Sequence, residues 1–245
     1  MSKIVERTLD VFEMFAAEKR RLSLTDMKRL LGIPISSCYD VIHTLEARGY
    51  VYATAPRAGY YPTRRLYNIC EVIVAHDSLL QRAAPLLEKL KDEIGETVTL
   101  AKATGTRTIY LLVLEPQHPI RYSVAVGAEI HSLYSTSAGK AILGSLSDEA
   151  LEECLESAKF QRMTHKTITS KSKLLADIRI SRKRGWYLNQ EETIEGVVTV
   201  SGVFTSNNAV HVVTVAGPNT RMEGKVERAA QQIVQTCKEL GDTSY

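Results

Sequence analysis

Cysteine and histidine are scarce in this sequence of 245 residues, and those present are widely dispersed. The four cysteines stand 32 or more positions apart: Cys38, Cys70, Cys154 and Cys237. The six histidines are scattered in the same way, and no segment has the ligand spacing of a zinc site. This pattern excludes a dense disulfide framework and is typical of single thiols in a reducing compartment. We expect neither a metal site nor a cofactor.

Long apolar runs are absent as well. The longest, such as 110–114 and 210–216, have the length of strands and not the roughly 20 residues that span a bilayer. The first residues enter an amphipathic pattern with acidic side chains, which differs from a secretory leader. We therefore expect no membrane partner and a cytoplasmic location.

The common catalytic motifs are missing too. Segment 135–141 superficially resembles a phosphate loop, but Tyr134 replaces its first glycine and Ala141 its hydroxyl residue. There is no dinucleotide-binding glycine fingerprint, nucleophile elbow or zinc-protease helix. Glu191 and Glu192 are adjacent carboxylates that project in different directions, so we expect a solvated surface or a domain contact there. We assign no catalytic residue.

Positive charge is in excess, and only near the start of the chain. Residues 1–65 contain eleven Lys and Arg against seven Asp and Glu, a balance of +4. The remaining 180 residues contain twenty against twenty-one, a balance of −1. Such a small excess supports a polyanionic partner only where a motif accompanies it.

Residues 1–64 predict three helices followed by a hairpin. The first helix spans 3–18, with an apolar stripe formed by Val5, Leu9, Phe12, Phe15 and Ala16. Ser23 and Asp26 fit a capping box for a short second helix that ends at Gly32. Pro34 suits the first position of a third helix, which extends to Arg48. This third helix is expected to bury Ile35, Cys38, Ile42 and Leu45, and two β-rich runs, 50–54 and 60–63, complete the hairpin.

Two short helices joined by a tight turn and followed by a hairpin form a winged helix-turn-helix. The second helix of such a pair enters the major groove of DNA. We expect its outward polar side chains, one residue of the preceding helix and the wing tip to contact duplex DNA: Thr25, Ser36, Ser37, Tyr39, Asp40, His43, Thr44 and Arg57. Asp40 could accept from a cytosine amino group. A small protein-interaction domain is the alternative for this region.

The rest of the chain predicts a linker helix and an α+β domain. Residues 65–80 lack glycine and proline, and we expect one stiff helix there. Further helices are predicted at 83–94, 137–145, 148–158, 171–184 and 221–240, and strands at 97–104, 107–114, 120–126, 196–204 and 209–216. Short turns between neighbouring strands indicate a largely antiparallel sheet with flanking helices. The predicted domains are 1–64, the linker 65–80, and 81–245.

One helix start in this second domain is a candidate anion site. The hydroxyl-rich segment 135–139 precedes and opens the helix predicted at 137–145. A helix N-terminus presents unpaired N–H groups and partial positive charge, both of which suit a carboxylate. A simple capped helix is the alternative.

Several segments resemble the IclR-type bacterial transcriptional regulators. They are 23–37, 45–51, 135–143, 184–187, 190–192, 196–197 and 215–221, which occur in the family's order over essentially the whole chain. The resemblance implies a GAF-like C-terminal effector domain, dimers or dimers of dimers, and control of catabolic operons by small organic acids. The operator should be near-palindromic, because a symmetric dimer presents two recognition helices.

The resemblance also implies an effector pocket. Positions that match the family motifs are Ser137, Ala138, Asn189, Thr199, Thr214 and Ala216. The aromatic residues Tyr110, Tyr122 and Trp186 could help, and we assign Tyr122 to the pocket.

The chain departs from the short-acid sensors of the family at Asn189, where aspartate is common, and at Ala216, where a hydroxyl is common. These changes favour a larger ligand such as an aromatic acid. On the recognition helix, Ile35 and Asp40 replace residues that are often basic, which implies an unusual operator. An enzyme fused to a DNA-binding domain is the competing interpretation of the whole chain.

Overall fold

A computed structural model describes residues 2–55, 59–104, 107–130, 132–156 and 158–241 of the chain. The residues form two compact units, Met1–Asp77 and Ser78–Tyr245. The first is mainly helical and the second combines helices with an antiparallel sheet, so the α+β class predicted from the sequence is confirmed. Within the described ranges, no helix is both long and apolar enough to cross a bilayer.

The N-terminal unit has the predicted order of three helices, a hairpin and a further helix. Its elements are α1 (Lys3–Glu18), α2 (Leu24–Leu31), α3 (Ile35–Ala47), β1 (Val51–Ala55), β2 (Gly59–Pro62) and α4 (Arg65–Ala75). Strands β1 and β2 pair antiparallel, with Val51 opposite Pro62. The arrangement is a helix-turn-helix followed by a two-stranded wing.

The core of this unit corrects two of the expected apolar faces. Helix α1 buries Val11, Met14 and Phe15, whereas Val5 and Leu9 are exposed. The first two turns of α1 do carry the apolar residues of the predicted stripe, but within the described part of this unit no other element packs on them. Ile35, expected in the core, is 47% exposed because it lies at the first position of α3, outside the turns that pack on α2.

The helix predicted over 65–80 is two helices in the structure. Helix α4 ends at Ala75, and α5 (Ser78–Ile94) begins three residues later. At the end of α4, His76 N–H donates to Ile73 O at 3.2 Å and Asp77 N–H to Val74 O at 3.1 Å. These three-residue bonds tighten the last turn and end the α-helical pattern. The uninterrupted connector expected from composition is therefore wrong in its extent.

The C-terminal unit is built on a five-stranded antiparallel sheet. After α5 come β3 (Thr97–Thr104), β4 (Arg107–Leu114), α6 (Ser137–Ser145), α7 (Asp148–Glu156), α8 (Lys171–Arg184), β5 (Tyr187–Gln190), β6 (Val197–Ser206), β7 (Ala209–Pro218), α9 (Asn219–Met222) and α10 (Val226–Leu240). The strand order is β4-β3-β7-β6-β5. Each strand in this order pairs antiparallel with its neighbours.

The alternation of side chains along the strands separates two apolar layers. Val98, Val200 and Val213 point to one face, where they pack with α5 and α10. Ala101 and Val212 point to the other face, against α6. Because strand residues alternate with a period of two, this second face also receives the odd-numbered positions of β3 and β6 and the even-numbered positions of β7. That register positions the polar residues described below.

Four elements of this unit differ from expectation by more than two residues. Helix α5 begins at Ser78, five residues before the predicted start at 83. Residues 120–126 form no strand; their course is held by contacts from neighbouring elements. Strand β5 was missed because four residues are too few for a periodic signal. The helix predicted over 221–240 is divided into α9 and α10, which are separated at Gly224 by a backbone with positive φ.

Candidate nucleic-acid interface and ligand cavity

Helix α2 starts with the capping box that the sequence indicated. Ser23 Oγ accepts from Asp26 N–H at 3.1 Å, and Asp26 Oδ2 accepts from Ser23 N–H at 3.0 Å. The Ser23 N–H, and the Ser23 hydroxyl that donates to the same oxygen at 2.7 Å, lower the pKa of the Asp26 carboxyl. Thr25, in the first turn of α2, is exposed. The cap fixes where α2 begins.

Helix α3 presents a polar face opposite its core residues. Cys38, Val41, Ile42 and Leu45 are buried. The predicted DNA-contacting residues of this helix lie on the other side: Ser36, Tyr39, Asp40, His43 and Thr44 are exposed, and Ser37 is half-buried. Arg57 of the wing lies outside the described residues.

The predicted set on α3 divides into two rows. Ser37, Asp40 and Thr44 border a groove that α3 shares with α1. Ser37 Oγ accepts from Arg7 Nη1 at 3.2 Å. In the other row, the rings of Tyr39 and His43 stack with centroids 5.5 Å apart and an interplanar angle of 7°. The helix therefore offers a hydroxyl-rich edge beside a flat aromatic pair.

Arginines missed by sequence reasoning stand beside this face. Arg7 and Arg48 line the same groove, together with Ile4 and Thr8 of α1. Guanidinium groups are the usual phosphate-binding side chains. Helical spacing could have found Arg48, which lies four residues after Thr44, whereas Arg7 is brought there only by the packing of α1 on α3.

The wing is tied to the helix-turn-helix through its second strand. Tyr60 N–H donates to Leu22 O at 2.9 Å, and Leu22 N–H donates to Tyr60 O at 3.1 Å. Gly59 allows this approach, because it has φ of 101° and a Cβ there would lie 2.7 Å from Leu22 O. The wing is thus fixed relative to α2.

The residues predicted to bind an effector surround one cavity in the C-terminal unit. It has an interior of about 40 Å³ within about 420 Å³ of space that opens to solvent. The seven assigned residues, Tyr122, Ser137, Ala138, Asn189, Thr199, Thr214 and Ala216, all line it. Thr99, Tyr110, Thr136, Thr193, Ile194 and Val197 complete the wall. Trp186 is not among the lining residues; the Arg184 guanidinium lies 3.8 Å above its ring.

The N-terminus of α6 opens onto this cavity. Thr136 is the N-cap, and its Oγ1 accepts from Gly139 N–H at 3.0 Å. The first-turn N–H groups of Ser137 and Ala138 have no acceptor within the helix. Gly139 permits close packing, since a Cβ there would lie 2.4 Å from Leu133 Cα. Residues Ser137–Leu143 are all buried, so the positive end of the helix dipole acts in a medium with little solvent screening.

A chain of hydroxyl groups forms the floor of the cavity. Ser137 Oγ lies 2.6 Å from Thr199 Oγ1 and 2.7 Å from Ser201 Oγ. Ser201 Oγ in turn lies 2.7 Å from Thr214 Oγ1. The chain links α6 to β6 and β7 without any charged group, and its hydroxyls can each donate or accept.

Two tyrosines close the opposite side. Burial raises the pKa of Tyr110, and the neighbouring Tyr122 side chain raises it further, so Tyr110 stays neutral. Thr97 Oγ1 donates to Tyr122 O at 2.5 Å. Arg221 Nη2 donates to Ile120 O at 2.9 Å and also pairs with the buried Glu96. These contacts hold residues 120–122 in place and so position the Tyr122 ring.

Asn189 positions the loop that follows β5. Its Oδ1 accepts from Glu192 N–H at 2.8 Å, and its Nδ2 donates to Thr193 Oγ1 at 3.0 Å. Thr193 Oγ1 then donates to Ser135 O at 2.7 Å. Thr193 and Ile194, which the sequence analysis missed, are thereby carried to the cavity wall. An aspartate at this position could not donate to Thr193.

The same loop is anchored by a buried lysine. Lys140 is 1% exposed, and its Nζ lies 2.6 Å from Glu192 Oε1 and 3.0 Å from Asp177 Oδ2. Burial raises the pKa of Glu192, against the opposing effect of Lys140. Glu191 pairs separately with Lys166 at 3.1 Å. Of the two expectations for this carboxylate pair, the solvated surface is wrong, because both carboxylates are buried: Glu192 pairs with the buried Lys140 and Glu191 with the exposed Lys166.

A winged helix-turn-helix followed by a separate unit with a ligand cavity defines the class of DNA-binding transcriptional regulators with a sensor domain. Residues 4–55 match the IclR helix-turn-helix domain, and residues 71–241 match the bacterial transcriptional regulator IclR C-terminal domain. The chain belongs to the IclR family.

Curated relatives agree with this family. The chain is 25% identical over 241 residues to the HTH-type transcriptional regulator BhcR of Paracoccus denitrificans, covering 97% of this chain and 86% of that protein. It is 22% identical over 242 residues to the HTH-type transcriptional repressor AllR of Escherichia coli, covering 98% and 89%. Since the matched domains and named relatives are those of regulators, the protein is a transcriptional regulator and not an enzyme.

Solved structures share the fold along the whole chain. The Thermotoga maritima IclR structure superposes with a TM-score of 0.80 at 22% identity and covers 96% of both chains. An IclR homologue from Microbacterium hydrocarbonoxydans, described as complexed with 4-hydroxybenzoate, has a TM-score of 0.73 at 16% identity and covers 97% of both chains.

Proposed function

We propose that this regulator binds a small organic acid in its C-terminal cavity and that binding changes its affinity for operator DNA. The observation that carries the proposal is the helix start at Ser137 and Ala138, which directs two N–H groups and a helix dipole at a cavity whose described lining residues are uncharged. One carboxylate would find its hydrogen bonds there and would bring a full negative charge to the positive end of the helix dipole. The seven assigned lining residues, with Tyr122 on the far side, are the proposed effector contacts.

The size of the acid separates two candidates. An interior of about 40 Å³ has space for about three waters, which suits a short-chain acid. An aromatic acid would require Tyr110, Tyr122 or Ile194 to move outward. Aromatic acids stay among the candidate effectors for three reasons. The chain matches the family, Ala216 stands in place of a hydroxyl residue, and a related structure is complexed with 4-hydroxybenzoate. Control of a catabolic operon follows from such ligands as the biological role that we propose.

For the DNA contacts, we propose Thr25, the α3 residues Ser36, Ser37, Tyr39, Asp40, His43 and Thr44, and Arg57 of the wing. Because the target is DNA, we place the protein in the cytoplasm. We propose that Asp40 takes part in sequence selection, since it is exposed on α3 beside the groove. Selection of duplexes from a random pool should give different base preferences for wild type and Asp40→Ala. Identical base preferences would mean that Asp40 takes no part in sequence selection.

We propose that the protein acts as a homodimer or as a dimer of dimers on a near-palindromic operator. Helix α4 has no buried residue, and the apolar side chains Ile69, Val72 and Ile73, which share one face at i, i+3 and i+4, are exposed. Such a stripe is typical of a helix that packs against a partner. The proposed domains are 1–64, the linker 65–80 and 81–245, and the boundary between the two compact units falls inside that linker.

The proposal is tested by selecting genomic fragments on the purified protein with and without a panel of short and aromatic monocarboxylic acids. We expect one acid to release or strengthen a discrete set of fragments at constant salt. A fragment set that no acid alters, together with no acid-induced thermal shift, would contradict the proposed function.

A further inference from the structure

Thr99 is a buried hydroxyl on the cavity wall that the hydroxyl chain leaves unpaired. Its side chain is 1% exposed, and it lines the cavity. Within the described part of the chain, its Oγ1 has no hydrogen-bond partner. Buried hydroxyls normally find a partner, because burial otherwise removes their bonds to water without replacement. An unpaired hydroxyl beside a cavity points to a partner that enters from the cavity.

The strand register places Thr99 at the far end of the hydroxyl chain. Ser201 on β6 stands opposite Thr214 on β7, and Thr214 stands opposite Thr99 on β3. The three residues thus form one row across three adjacent strands, starting beside Ser137 at the N-terminus of α6. With strands about 4.8 Å apart, Thr99 is about 10 Å from Ser201. A ligand whose carboxylate meets α6 reaches Thr99 only with its opposite end.

The far end of the cavity suits a neutral polar group. The lining residues within the described ranges include no Asp, Glu, Lys, Arg or His, and Tyr110 and Tyr122 belong to the lining. The raised pKa of Tyr110 keeps its phenol neutral. A second carboxylate here would be buried without a cation, which is strongly unfavourable. A hydroxyl group, in contrast, can donate a hydrogen bond to Thr99 Oγ1 or accept one from it, and no charge is buried.

We propose that Thr99 is a specificity-determining residue that selects monocarboxylic acids with a hydroxyl group at the end opposite the carboxylate. The assignment rests on the proposed effector site and adds to it the ligand class and the residue that recognises the distal group. Thr99 was not assigned from the sequence, because it is one of many threonines in β-rich segments. Only the pairing of β3 with β7 shows that it lies in one row with Thr214 and Ser201.

The test is isothermal titration calorimetry of the full chain with matched pairs of acids. The pairs are 4-hydroxybutanoate with butanoate and 4-hydroxybenzoate with benzoate. Wild type should bind the hydroxylated member of the accepted pair about tenfold more tightly, the value of one well-formed neutral hydrogen bond. Thr99→Val, which keeps the side-chain shape, should reduce that ratio to about one, and Thr99→Ser should retain most of it.

Thr108 provides a matched control. It is also a buried strand threonine whose Oγ1 has no partner within the described residues, but it does not line the cavity. Thr108→Val should leave the ratio at its wild-type value.

The outcomes separate the two proposals. Equal affinity for both members of the accepted pair in wild type, or an unchanged ratio in Thr99→Val, would overturn the role of Thr99 while the effector site stands. If no acid of either pair binds and the wider acid panel also fails, the effector site itself is wrong, and the inference fails with it.

Discussion

At the scale of single residues, some polar groups of the cavity have hydrogen-bond partners within the protein and others do not. We assign the first group to holding the cavity wall and the second to binding a ligand. Asn189 and Thr193 use their hydrogen bonds on the protein itself and hold the loop after β5. Within the described residues, Thr99 Oγ1 has no hydrogen-bond partner, and the first N–H groups of α6 have no acceptor in their helix; we propose that a ligand uses them. Binding sites commonly keep such groups at a cost in stability.

That cost can be measured at Thr99. Replacing a buried, unpaired hydroxyl by a methyl group removes its desolvation penalty, so Thr99→Val should stabilise the ligand-free protein by about 1 kcal/mol. Thr108→Val should do the same. Urea unfolding followed by circular dichroism gives both values. A clear loss of stability in Thr99→Val would show that its hydroxyl is paired inside the protein.

The buried Lys140–Glu192 pair predicts a pH dependence. Burial raises the folded-state pKa of Glu192 above its ordinary value of 4.5. The folded state therefore holds the proton more tightly than the unfolded state, and stability falls as pH rises from about 4.5 toward the raised pKa. Glu192→Gln should remove this slope. Unfolding free energies of the two proteins measured across this range should diverge with rising pH; parallel curves would contradict the assignment.

At the scale of elements, capping offers a test within the N-terminal unit. Ser23→Ala removes the side-chain cap of α2 and should destabilise this unit by about 1 kcal/mol. Ser2 is the matched control, since it precedes α1 but makes no side-chain cap hydrogen bond. Thermal unfolding of the two variants should show a loss for Ser23→Ala and little change for Ser2→Ala. Equal losses of stability in the two variants would mean that the hydrogen bonds of the capping box add nothing to the stability of this unit.

Helix α4 carries the element-level prediction on assembly. Charges on its apolar stripe, as in the double variant Val72→Glu and Ile73→Glu, should weaken the homodimer by burying unpaired carboxylates. Sedimentation velocity should show a shift toward monomer. The exposed Glu71→Gln variant should sediment like wild type. An unchanged assembly in the double variant would place the interface elsewhere.

The sequence predicted elements well where local signals and packing agree. The bounds of α1, α8, β3 and β4 match, because each has a full periodic pattern with clear ends. Residues 120–126 alternate like a strand, yet they are held by side-chain contacts from Thr97 and Arg221 that no local pattern contains.

At the scale of the whole molecule, the sequence motifs indicated the family and a candidate anion site, and the fold shows which other residues surround that site. The α6 motif indicated an anion site from sequence alone, and the structure arranges the other assigned residues around it. Thr99, Thr193 and Lys140 could not be found that way, since their roles depend on strand register and on a loop that closes over α6.

The central claim, that an acid in this cavity controls DNA binding, is tested most directly by fluorescence anisotropy of a selected operator duplex. Addition of the acid that binds the cavity should change the Kd for wild type by about tenfold or more, a coupling in the usual range. Ala216→Leu, which fills the cavity at a buried position of β7, should bind the duplex like wild type but ignore the acid. An equal acid response in both proteins, or none in wild type with the acid bound, would contradict the account.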